Sequence, residues 1–311
     1  MAVYHSGELS VQRRAGVSEQ AAHTSAAIRA EMPRVAADFL ARQPMLVIGA
    51  TDARGDIWAS LLTGAPGFLT ATGPDSLSID AAPSPGDPLY ETLTSPVSPI
   101  SPARLGMIAI DPAARRRMRM NGIARRRPHG WDVDLDQVYA NCPKYIQKRE
   151  YAIEPTESIE PTQPAAPQHS AELTADQQRF ITQTDTFFVA TADRDGNADA
   201  SHRGGNPGFV ELLSPTRLRW PDYVGNAMFN TLGNIEVNPR AGLLLPDWTT
   251  GTTLQLTGTA AIDWDADHAA AVPGAERFVE FAVDHVVEIP HASPLRWAAP
   301  EYSRFNPPVN A

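Results

Sequence analysis

The sequence predicts a mainly β protein with short helices, built as two tandem copies of one small barrel. An internal repeat is the first sign. Residues 39–68, FLARQPMLVIGATDARGDIWASLLTGAPGF, align without a gap on residues 180–209, FITQTDTFFVATADRDGNADASHRGGNPGF, at an offset of 141. Phe39, Asp52, Gly55, Ala59, Ser60 and Gly64 recur as Phe180, Asp193, Gly196, Ala200, Ser201 and Gly205, and Pro66-Gly67-Phe68 recurs as Pro207-Gly208-Phe209. Further on the offset becomes 136, carrying Arg104, Gly106, Asp111 and Gly122 onto Arg240, Gly242, Asp247 and Gly258. The second sign is a series of short apolar runs separated by turn residues. The third is proline: 28 residues favour many short elements and turns over long helices.

Taken in order, each copy reads as a helix and six strands. Pro33 stands where a first-turn proline belongs, ahead of Val35, Phe39 and Leu40. In the second copy Thr174 and Gln177 form a capping-box pattern before Phe180 and Ile181. MLVIGAT and TFFVATA are β-rich apolar runs, and DARGD and DRDGN after them carry hairpin chemistry. IWASLLTG and ADASHRGG return. SLSIDA and RLRWPD come third, LGMIAID and AGLLLPD fourth. RRMRMNGIA and TTLQLTGTA alternate around an interior glycine, which predicts a bend or bulge. WDVDLDQVY and FVEFAVDHVVEI close the copies. Six short strands with one-sided patterning suit a small closed barrel. The Arg-rich run at residues 114–128 alternates through Met118 and Met120, so it reads as a strand with one charged face rather than a polyanion patch.

The bulk properties narrow the function. A length of 311 residues suggests about two domains. A net charge of -10 argues against nucleic acid as a partner. The single cysteine, Cys142, excludes an internal disulfide framework, fits a reducing compartment and reads as inert. The N-terminal MAVYHSGELSVQRR has no apolar core of a signal peptide, and no run approaches a membrane span. The expectation is a cytoplasmic protein with no membrane partner. No HExxH, CxxC pair, GxSxG or Walker pattern occurs, so no metal is expected.

The helix, the barrel, the Asp-Gly hairpin and the Asn238-Pro239-Arg240 that introduces the fourth strand together resemble the pyridoxamine 5'-phosphate oxidase-like, FMN-binding split-barrel superfamily. GNAMFNTLGNIEVNPRAGLLLPD in the second copy looks like the segment where that superfamily places a short helix under the flavin phosphate. HSGELSVQRRAG and NCPKYIQKRE resemble segments of its tandem two-barrel, flavin-nucleotide-binding relatives. The resemblance implies two split β-barrels forming an intrachain pseudo-dimer, with flavin in the seam. The expected organisation is an N-terminal arm and helix over 1–32, barrel 1 over 33–150, a Pro-rich extended linker over 151–171, and barrel 2 with a C-terminal tail over 172–311. One chain would then complete the seam as a monomer, with a homodimer open to it through outer surfaces.

The two copies differ where a flavin would need donors. Ser60-Leu61-Leu62 in the first copy faces Ser201-His202-Arg203 in the second, and Ile79-Asp80 faces Trp220-Pro221. Arg203 is the expected phosphate ligand, because a guanidinium fork matches phosphate oxygens. Superfamily members carry Arg or Lys on the helix after the third strand; Asn230 and Thr231 stand there here, with Asn226 and Asn234 nearby. His202 and Arg203 are strand neighbours and should point to opposite faces. Trp220 and Tyr223 are candidates for a ring wall or for core. Asn141, Lys144 and Tyr145 end the first copy in a run broken by Pro143 and suited to reaching across the seam. His202, Lys144 and Tyr223 are the candidate catalytic groups. The resemblance implies an FMN-dependent oxidoreductase passing a hydride between flavin and a small-molecule substrate. The alternatives are a non-catalytic flavin carrier, or the same fold with deazaflavin or haem.

Overall fold

The structure, a computed structural model, describes residues 4–95, 102–154 and 166–309. The chain opens with helices α1 (Ser6–Arg14), α2 (Ser18–Thr24) and α3 (Arg34–Leu40). The first sheet follows: β1 (Met45–Thr51), β2 (Ile57–Thr63), β3 (Leu69–Gly73) and β4 (Ser76–Ile79), then helix α4 (Tyr90–Thr94), then β5 (Ala103–Asp111), β6 (Arg116–Arg126) and β7 (Trp131–Ala140). Strands β8 (Tyr151–Ile153) and β9 (Gln168–Ser170) and helix α5 (Ala175–Gln183) lead into the second sheet. That sheet comprises β10 (Thr186–Ala192), β11 (Ala198–Gly204), β12 (Glu211–Ser214), β13 (Arg217–Tyr223), β14 (Arg240–Pro246), β15 (Thr253–Asp263) and β16 (Ala275–Ile289). Helix α6 (Asn230–Val237) lies between β13 and β14, helix α7 (Ala266–Ala270) precedes β16, and β17 (Leu295–Trp297) is last.

The two sheets have the same topology. Their strand orders are β2-β1-β5-β6-β7-β4-β3 and β11-β10-β14-β15-β16-β13-β12, with every pairing antiparallel. The main ladder of each has seven strands where six were expected, and β9 adds an eighth to the second by pairing with β16. The additions to the ladders, β3 and β12, are short edge strands of mixed polarity, which carry little alternation for a sequence to show. Neither ladder closes: β2 does not pair with β3, nor β11 with β12, so each barrel is split, as the resemblance implies, and not closed as the strand patterning alone suggests. The interior glycines do what alternation predicted, since the register slips at Asn121/Gly122 on β6 and at Thr257/Gly258 on β15. The capping box at Thr174 and Gln177 forms.

Each sheet wraps its own core. Leu46, Ile48, Trp58, Met118 and Met120 fill the first, and Phe187, Val189, Trp220, Leu243 and Phe281 the second. A third cluster lies between the barrels: Val47, Ile57, Ile108, Phe188, Ala190 and Leu244. Strands β1 and β10 are therefore buried on both faces, which is why their sequences are continuous apolar runs instead of alternating ones. Each fully buried side chain of this kind contributes roughly 1.5–3 kcal/mol. The barrels approach closely at two repeat-related glycines. A Cβ on Gly106 would run into the backbone of Asp199, and one on Gly242 into the backbone of Ile57 and Trp58.

Segments outside the sheets tie the halves together. Helix α1 packs on α6 of the opposite barrel, with Gly7 against Gly233. Past β7 the chain crosses the seam: Gln147 Nε2 donates to Gly205 O (3.1 Å), and Arg149 pairs with Asp185 (2.6 Å). The ends of the expected linker are short strands, β8 on β17 and β9 on β16. Residues 155–165, where most of the extended stretch was expected, lie outside the described residues. Among the described residues no helix is long and apolar enough to cross a membrane.

Candidate functional site

A pocket opens in the seam where β11, the end of β13 and the start of α6 meet β6 and residues 141–145. Ten of the twelve sequence-predicted site residues line it. Ser201, His202, Arg203, Pro221, Tyr223 and the α6 residues Asn230 and Thr231 come from the second barrel, with Asn226 from the loop before α6; Asn141 and Lys144 come from the first. Two lie elsewhere. Trp220 is buried in the barrel core against Phe187 (5.2 Å between centroids). Asn234, one turn along α6, bonds His5 (2.9 Å) and Thr191 (3.0 Å) and faces a different cavity.

Strand alternation sorts the β11 side chains. Ser201 points toward α6, where its Oγ lies 2.9 Å from Thr231 Oγ1. His202 points to the first barrel, and its Nδ1 lies 2.7 Å from Arg117 Nη1. A guanidinium only donates, so Nδ1 accepts and the ring proton sits on Nε2. Burial first, then the cations of Arg117, Arg203 and Arg149, hold the His202 pKa well below its ordinary value, so the ring is neutral. Arg203 does not present a free charge. Its Nη1 donates to Asp222 (2.9 Å), whose other oxygen accepts from Arg277 (2.8 Å).

Two further cations in the pocket come from the other barrel and were not among the expected site residues. Arg117 and Arg119 project from β6 into the seam, while Met118 and Met120 face the core. The charged face expected for this strand thus meets the second barrel as well as solvent. Arg119 is ion-paired with buried Asp199. Arg117 has no carboxylate partner among the described residues; its recorded partner is the neutral ring of His202. Burial, then the nearby charges of Arg119 and Arg203, pull its pKa down to about 10. The alternation around Met118 and Met120 was the available signal; the partner barrel it faces was not in the local sequence.

Other groups shape the mouth. Tyr145 Oη donates to Val224 O across the seam (3.1 Å), and its ring lies 5.3 Å from that of Tyr223. Burial raises both phenols, Tyr223 to about 12. Lys144 Nζ lies over the Phe305 ring (5.9 Å), and Cys142 is exposed at the rim. Asn226 is spent on its own turn, accepting from Met228 N (3.1 Å). Helix α6 starts on Phe229, which has φ 60° and supplies no side-chain cap, so its first N–H groups are left for another acceptor. Three of the five non-glycine residues with positive φ among the described residues, Tyr145, Ala227 and Phe229, line this pocket. Such conformations cost roughly 1–3 kcal/mol each and tend to cluster at functional sites. The buried polar atoms Arg117 Nε, Arg203 Nε, His202 Nε2, Asn141 Oδ1 and Asn230 Oδ1 have no partner among the described residues. The pocket encloses about 140 Å³ and meets, at Asn230, a second cavity of about 770 Å³ under α1. There the buried Glu8 accepts from Asn230 Nδ2 (2.6 Å), and burial raises its pKa to about 7.

Residues 173–303 match the family model described as pyridoxamine 5'-phosphate oxidase. No curated protein matches the chain. Among solved structures, a putative pyridoxamine 5'-phosphate oxidase from Lactobacillus delbrueckii is 21% identical, with a TM-score of 0.31 over 38% of this chain and 94% of that one. An FAD-binding protein from Mesorhizobium loti is 16% identical, with a TM-score of 0.28 over 43% of this chain and 99% of that one. HupZ from Group A Streptococcus is 15% identical, with a TM-score of 0.30 over 36% of this chain and 90% of that one. The match to the pyridoxamine 5'-phosphate oxidase model thus falls on the second barrel, and the first barrel repeats the topology of the second.

Proposed function

We propose that the seam pocket holds flavin mononucleotide and that the chain is a flavin-dependent oxidoreductase acting on a small molecule. The observation that carries this reading is a convergence in one pocket: an arginine without a carboxylate partner, an uncapped helix N-terminus, and buried polar atoms without partners. The match of residues 173–303 to the pyridoxamine 5'-phosphate oxidase model supports it. Flavin mononucleotide brings nearly two negative charges, and burying a phosphate without donors costs several kcal/mol. Ser201, Thr231 and the first N–H groups of α6 suit the phosphate, which gains further from the helix dipole. Arg117 supplies the charge that Arg203, paired with Asp222, supplies only in part. The Tyr145–Tyr223 pair offers an aromatic wall. The enclosed volume of about 140 Å³ is below that of most small-molecule sites, so on this reading the ring system stands in the open mouth.

A bound flavin supplies a two-electron centre that takes or returns a hydride at N5. The chain's residues bind and orient. His202 donates through Nε2–H and cannot accept a proton at Nδ1 while Arg117 holds it. Tyr145 and Tyr223 remain protonated, because burial raises both. The pocket is therefore rich in donors, suited to holding negative charge. The test is a fluorescence-quenching titration of the purified chain with flavin mononucleotide, followed by anaerobic reduction with a nicotinamide cofactor. Saturable quenching and bleaching of the flavin bands are expected; no quenching at all rejects the flavin, and quenching without any reduction by donors leaves a carrier.

A further inference from the structure

A third recess lies on the first-barrel side of Arg117. It holds about 440 Å³ between α3, the start of β6 and the end of β7. Its floor is apolar: Phe39, Met118, Val138 and Tyr139 are all buried there. Its rim is cationic. Arg29, Arg115, Arg116 and Arg117 line it, against the single carboxylate of Glu31 among the described residues. Arg115 is engaged, donating to Glu301 Oε1 (3.0 Å) and Ile146 O (3.1 Å), on a backbone with φ 48°. Arg116 lies over the Phe39 ring (5.3 Å), and neither it nor Arg29 has a carboxylate partner among the described residues. This concentration of unpaired positive charge stands out on a chain of net charge -10. Like charges held together over an apolar floor repel one another, and an anion relieves that repulsion. The volume falls within the roughly 300–1,000 Å³ of small-molecule sites. Arg117 and Asn141 wall both this recess and the seam pocket, so the two are neighbours across a shared wall.

We propose that this recess binds an amphipathic carboxylate, with its apolar body on Phe39, Met118 and Val138 and its carboxylate at Arg116 and Arg29. Its role as the substrate's berth rests on the flavin reading above; the binding itself does not. The experiment is calorimetric titration of the full chain with decanoate and with 1-decanol, flavin content being measured on the same samples. Decanoate should bind about tenfold more tightly than decanol, as one charge-assisted contact implies. Arg116→Ala and Arg29→Ala should each weaken decanoate several-fold and leave decanol binding and flavin content unchanged, with circular dichroism confirming the fold. Neither arginine lines the seam pocket, so loss of decanoate discrimination in these variants with flavin retained is the result expected, whereas unchanged discrimination with flavin retained overturns this proposal alone. Equal binding of acid and alcohol, or decanoate binding that both substitutions leave intact, also overturns it. Decanoate binding to a chain that takes up no flavin sustains the carboxylate site and rejects the flavin reading.

Discussion

The duplicated architecture crosses the seam twice with equivalent strands, β11 with β6 and β2 with β15, and the two crossings are filled in opposite ways. Across the ladders Arg119 pairs with Ile108 as Gln255 pairs with Leu244, and Arg117 pairs with Ile110 as Thr253 pairs with Pro246. At the first crossing Ser201 meets Thr231, two arginines enter from β6, and a pocket remains. At the second, Ser60 donates to buried Asp87 (2.6 Å), and Gln255 Nε2 donates to Asp87 (3.0 Å) and to Ala59 O (2.9 Å). Leu62, the counterpart of Arg203, is fully buried in the core. A neutral amide in the place of a guanidinium lets the second crossing seal itself with short polar contacts. The first cannot seal, because two cations in one seam need more anion than Asp199 supplies. Of two repeat-related crossings, one is thus filled by structural contacts while the other keeps an open pocket.

Each crossing holds a carboxyl raised by burial, and pH separates them. The native pKa of Glu8 is about 7 against an ordinary 4.5, and that of Asp87 about 6 against 3.8. In both cases the unfolded carboxyl ionises first, so stability falls as pH rises through the window between the two values and is flat above it. Each shift corresponds to roughly 3 kcal/mol. Denaturant melts of Glu8→Gln should lose the slope between pH 4.5 and 7, and those of Asp87→Asn the slope between pH 4 and 6. An unchanged profile in either variant would show that its carboxyl does not titrate in this way.

Arg117→Ala should weaken flavin mononucleotide by about 1.5–3 kcal/mol, the worth of a charged hydrogen bond, whereas Thr253→Ala at the sealed crossing should leave it unaltered. The expected stoichiometry is one flavin per chain; two at saturation would mean that the Ser60–Asp87–Gln255 plug opens. Arg203→Ala should cost less than Arg117→Ala, since Asp222 already offsets Arg203 and retains Arg277. The reverse order would make Arg203 the principal phosphate ligand after all. Smallest is Tyr145→Phe, which removes the Val224 hydrogen bond and should lower thermal stability by about 0.5–1.5 kcal/mol. A larger loss would mark the seam-crossing segment as a main clamp between the barrels.

Most of the strand pattern was legible because it is local: a β-strand shows its buried faces in its own sequence, and turn glycines mark its ends. The edge strands β3 and β12 were missed, because a short edge strand is defined by its neighbour's hydrogen bonds more than by its own residues. The site was legible where it sits on one copy. Ser201, His202, Asn230 and Thr231 stood out by contrast with the first copy and lie together in the pocket. Arg203 was visible, but its ion pair with Asp222 was not, since β11 and β13 meet only through the curl of the sheet.

The sequence by itself determined the repeat, the alternation of β6 and the polar second copy, all of which follow from periodicity and turn chemistry along the chain. Only the tertiary structure decided what the charged face of β6 would meet. Arg117 looks the same in sequence as Arg125, which lies exposed beside Asp134 at the far end of the same strand. Packing one barrel on the other partly buried Arg117 without giving it a carboxylate among the described residues, and that unpaired charge is what recommends the seam as the proposed binding site.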